Sequence, residues 1–99
     1  MAAPATDPDC IGHHLGQPFA GYRKIKWFPS THWASPDMRV REHTCSCQIV
    51  AYEFGMSGAG FVIQRTIRAA DRAIVERTMP MSWAEARDLW LSIFQGTAR

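Results

Sequence analysis

Gln48-Ile-Val-Ala-Tyr-Glu-Phe54, then Gly55-Met-Ser-Gly-Ala-Gly60, then Phe61-Val-Ile-Gln-Arg-Thr-Ile-Arg68 reads as strand, turn and strand. Alternation puts Val50, Tyr52 and Phe54 on one face of the first run, and Phe61, Ile63 and Ile67 on one face of the second. The glycines between them adopt positive φ at little cost, which predicts a turn over 55–60. After a short connection at 69–72 a third strand is expected over 73–79, ended by Pro80; the alanines of 69–75 also permit a helical turn.

Ser82-Trp-Ala-Glu85 follows and has the form of a capping box, in which the serine hydroxyl takes a first-turn amide and the glutamate reaches back. From Trp83 onward Trp83, Ala86, Leu89, Trp90, Ile93 and Phe94 recur at helical spacing, with Gly96 placed to end the helix. A helix with such a stripe must bury it, and the sheet offers the apolar face. The expected fold is therefore α+β: a three-stranded antiparallel sheet covered by one C-terminal amphipathic helix. Upstream, Tyr22-Arg-Lys-Ile-Lys-Trp-Phe28 is a candidate fourth strand stopped by Pro29, and 29–44 reads as loop. Residues 1–21, dense in proline and glycine, read as an extended arm before a single domain at 22–99.

The chain has 99 residues, 46% of them hydrophobic and 20% charged, within the range of one small globular domain. No apolar run has the length of a membrane span, and Met1–Asp9 lacks the features of a secretory signal. Three cysteines do not make an even disulfide set, so reduced thiols and a cytoplasmic location are expected. A net charge of +2 without a basic tail lowers the expectation of strong nucleic-acid binding.

Several groupings bear on chemistry. Cys10-x-x-His13-His14 in the arm and His43-x-Cys45-x-Cys47 before the first clear strand supply thiolate and imidazole, the usual zinc ligands. Cys10, His13 or its neighbour His14, Cys45 and Cys47 would close a tetrahedral structural site and tie down the arm. The competing reading makes the two later cysteines small buried residues. There is no phosphate loop, no His-Glu-x-x-His and no nucleophile elbow, and a strand start offers no geometry for a Cys–His nucleophile pair, so no enzyme is expected.

Basic residues alternate with aromatics over 22–28, with Trp33 beyond; this suits an edge strand, and also a backbone-binding surface. Leu91 lies on the shoulder of the helix stripe, past Arg87. With Tyr22, Trp27 and Trp33 it is expected to form a patch for a protein partner or a second copy.

Tyr52, Phe61, Arg65, Arg68, Arg77 and Thr78, with Ser82, Glu85, Ala86 and Trp90, give residues 48–95 an arrangement that resembles the small AP2-like domains at the front of tyrosine-type integrases. The resemblance implies a three-stranded sheet whose exposed face enters a DNA groove, with Arg65, Arg68 and Arg77 as the residues to test. The function expected first is a non-enzymatic binding or regulatory module acting through protein contact. DNA binding through the sheet stands second, and structural zinc is compatible with either.

Overall fold

The computed structural model describes residues 12–29, 37–58 and 60–99. In chain order these form β1 (Phe28–Pro29), β2 (Arg39–His43), β3 (Val50–Ser57), β4 (Gly60–Arg68), β5 (Ala73–Arg77) and α1 (Trp83–Gln95). The strands make one antiparallel sheet in the order β1-β5-β4-β3-β2. The class is the expected one, α+β with a single helix, but the sheet has five strands rather than three with a candidate fourth.

The centre of the sheet follows the alternation in the sequence. Phe54 stands opposite Ile63, and Tyr52 opposite Arg65, so these side chains share a face. On that face α1 lays Ala86, Trp90 and Ile93 against Tyr52, Phe54 and Ile63. Stacked and tilted rings run through this core from Phe61 to Phe54, Trp90, Phe94 and finally His13 of the arm, with centroid separations of 5.9, 5.7, 5.1 and 5.3 Å. Such pairs add about 0.5–1.5 kcal/mol each beyond the area they bury.

Ser82 caps α1 as its sequence predicts: its hydroxyl accepts the Glu85 amide at 3.2 Å, and Glu85 Oε1 accepts the Ser82 amide at 3.2 Å. Gly96 ends the helix at φ +80°, in the left-handed region.

Three expectations are corrected. Arg39–His43, within the stretch read as loop, is a strand; its residues are largely charged and exposed, so it carries no apolar period. Gly55–Ser57 belongs to β3 and Gly60 to β4, so both strands run into the stretch read as turn. The glycine at 55 answers to β2, since a Cβ there would stand 2.2 Å from the Arg39 carbonyl oxygen. Residues 73–77 form the expected third strand of the hairpin series, ending at Arg77 rather than at 79, and the helical alternative is not adopted. Of 22–28 only Phe28 is in a strand, and Pro29 is part of that strand rather than its stop; β1 lies at the sheet edge, where a missing amide is tolerated.

Residues 19–25 run instead beside the chain end. Phe19 N–H donates to Gly96 O, Arg23 N–H to Thr97 O, and Ile25 N–H to Arg99 O, at 2.8, 2.9 and 2.8 Å.

Candidate metal centre

The described part of the arm is held by its own backbone. Cys45 N–H donates to His13 O at 2.9 Å. The Gln48 side-chain amide clamps Leu15 from both sides: its Oε1 accepts the Leu15 amide at 3.0 Å and its Nε2 donates to the Leu15 carbonyl at 3.1 Å. Gly12 permits the approach, because a Cβ there would lie 2.7 Å from the Thr44 carbonyl carbon.

This docking brings His14 to the turn between β2 and β3. His14 Nε2 lies 3.2 Å from Cys47 Sγ, and Cys47 Sγ 3.2 Å from Cys45 Sγ. The three donor atoms all fall within 4.8 Å of one another. Tetrahedral zinc with bonds of about 2.0–2.3 Å separates its ligand atoms by about 3.5–3.8 Å, so small adjustments fit this set to one ion. Cys45 is buried, His14 half-buried and Cys47 exposed. The group can therefore hold a metal ion between arm and sheet.

The histidine brought to the cysteines is His14, while its neighbour His13, which carries the Cys45 hydrogen bond on its carbonyl, sets its ring edge-on against Phe94. Adjacent residues of an extended arm point to opposite sides, so only one of the two can face the thiols. The sequence offered both, and the docking register selects between them. Cys10 lies outside the described residues.

The remaining candidates are scattered. Arg65 is on the helix side of the sheet, with its Nε 2.7 Å from Glu76 Oε1 and its guanidinium 4.4 Å above the Trp27 ring. Arg77, opposite Gln64, is on the other face. It is 3% exposed, and its Nη2 donates to Gln64 Oε1 at 2.9 Å, while Gln64 Nε2 donates to Glu53 at 3.0 Å. Burial draws the Arg77 pKa below its ordinary value, and the charges of Glu53 and Asp37 act the other way. Arg68, exposed on that second face, donates to the Ser46 carbonyl. The three arginines thus do not share one surface.

Trp27 and Tyr22 are half-buried, and Trp27 packs 6.1 Å from the Tyr52 ring with its indole N–H buried and without a partner among the described residues. Residues 23–26 line a groove with Glu85, Asp88 and Leu89. Leu91, 43% exposed, stands on the opposite shoulder of α1, so it does not join them in one patch. Trp33 lies outside the described residues. No helix among the described residues is long and apolar enough to cross a membrane.

Comparison with known proteins gives no family model that matches the chain, no similar curated protein and no similar solved structure.

Proposed function

We propose that this chain is a non-enzymatic binding module that acts through protein contact and whose N-terminal arm is stapled to the sheet by structural zinc. The observation that carries the reading is the convergence of His14 Nε2, Cys45 Sγ and Cys47 Sγ within 4.8 Å, from two segments far apart in sequence. Thiolate-rich, closed sites are the structural kind of zinc site, and metal bound to such a set contributes directly to folding. In this reading Cys10, four residues before His14, supplies the fourth ligand, and the ion fixes the arm on which His13 and Leu15 pack. Side chains such as Trp83 and Leu91, exposed at 48% and 43%, support contact with a partner.

Native mass spectrometry of protein purified without chelator tests the reading. One zinc per chain is expected, kept by His13→Ala and lost or weakened by His14→Ala, Cys45→Ser and Cys47→Ser. A folded wild-type protein that contains no metal rejects the staple.

A further inference from the structure

We infer that the exposed shoulder of α1, together with β2, forms a docking surface for an acidic segment of another protein that carries apolar side chains. The inference rests on the protein-contact reading and names the partner's chemistry.

Trp83, Arg87 and Leu91 follow one another at intervals of about 40° around the helix. All three are exposed, and the Arg87 guanidinium lies 5.4 Å over the Trp83 ring. Trp90, just inside this shoulder, donates its indole N–H to Glu42 Oε1 at 3.1 Å and so fastens the shoulder beside β2. From the other direction, strand register leads to the same place. Arg39 stands opposite Met56, Met56 opposite Phe61, and Phe61 bridges Met81, two residues before Trp83.

The irregularity in β2 falls between Val40 and Glu42, which leaves Arg41 out of register. A bulge redirects the side chain it carries, and here the Arg41 guanidinium lies 6.0 Å over the Phe61 ring. Two guanidinium groups thus lie over aromatic rings, with Arg39 on β2 in register with Met56. Among the described residues the only ion pair is Arg65–Glu76, so none of these three has a carboxylate partner there. Glu42, the acid next to Arg41 in sequence, is engaged by Trp90.

The surface therefore combines preorganised guanidinium groups with the apolar bodies of Trp83, Leu91 and Met56. Guanidinium matches carboxylate in geometry and charge. Aliphatic Leu91 and Met56 call for apolar side chains between the acids, which a nucleic-acid strand does not provide.

Selection of a phage-displayed twelve-residue peptide library on the intact protein tests this. Enriched peptides are expected to combine Asp or Glu with Leu, Phe or Trp. Their affinity is expected to fall about tenfold or more in the Arg41→Glu/Arg87→Glu variant, and also in Leu91→Glu, with thermal melts showing that both variants fold. Enriched peptides that bind the double variant as tightly as wild type overturn this surface while leaving the protein-contact reading in place. Failure to enrich any peptide overturns both. A single-stranded DNA oligonucleotide that binds wild type and is lost with the same arginines also overturns the inference, because the face would then be a nucleic-acid surface.

Discussion

Thr44 and Thr78 do the same work at two corners of the sheet. Each stands one residue past a strand end and closes both backbone groups of one core residue. Thr44 donates its amide to Tyr52 O and accepts Tyr52 N–H on its hydroxyl, both at 2.9 Å. Thr78 does so for Ile63, at 2.9 and 3.0 Å. Both threonines are buried, so removing the hydroxyl leaves an orphaned amide in the interior. Thr78→Val keeps the shape and is expected to cost about 1–3 kcal/mol; an unshifted urea midpoint would show that Ile63 N–H finds another acceptor. Tyr52, 4% exposed, has its phenol pKa raised chiefly by burial, against the opposing charges of Arg99 and Arg65. A pKa raised in the folded state means that the folded protein holds the proton longer. The contribution is complete below the unfolded value of about 10 and is lost as pH rises through the folded one. Stability should therefore fall above about pH 10, and Tyr52→Phe should flatten that fall in denaturant titrations across the alkaline range.

Among the elements, α1 is the one whose ends are written locally. Ser82→Ala should lower stability by about 1 kcal/mol; no change in the denaturant midpoint would mean that the reciprocal bonds with Glu85 contribute nothing. β2 is the opposite case. It is exposed on most of its length and bulged, and it is positioned by what lies beneath it. The lack of a side chain at Gly55 lets the Arg39 carbonyl approach, and Glu42 takes the Trp90 indole. Gly55→Ala is expected to displace β2 and accelerate amide exchange in 39–43 while α1 keeps its protection. Equal acceleration in both would make β2 and the helix a single cooperative unit.

At the scale of the molecule, one segment ties together the β2–β3 turn and the residues after α1. The segment from His13 to Ile25 touches the β2–β3 turn at one end and the residues after α1 at the other. In the zinc-stapled reading the ion locks the first of these contacts. Chelation should then speed amide exchange at Leu15 and Cys45 well before it affects Ile63 in the sheet centre. If all three respond together, the metal holds the whole fold; if none responds, the backbone contacts of the arm suffice without it.

The hairpin of β3 and β4 and the helix were legible because their signals are local. Alternation in 50–54 and 61–67, the Ser82–Glu85 pair and Gly96 each act within a few residues, through side-chain period or a single hydrogen-bonded end. The Cys/His character of the metal centre was legible in the same way, as residue types. Contacts between distant segments were not. Choosing His14 over His13 needed the register of the arm against Thr44 and Cys45. Strand parity already separates Arg65 from Arg68, but placing Arg77 on the face away from Arg65 needed the register of β5 against β4, and the burial of Arg77 and the ion pair of Arg65 came with their neighbours there. β2 has no apolar period because it lies at an edge and buries little. Its existence, and the role of Gly55 beneath it, was decided by tertiary structure, since backbone pairing at an edge leaves almost no trace in side-chain pattern.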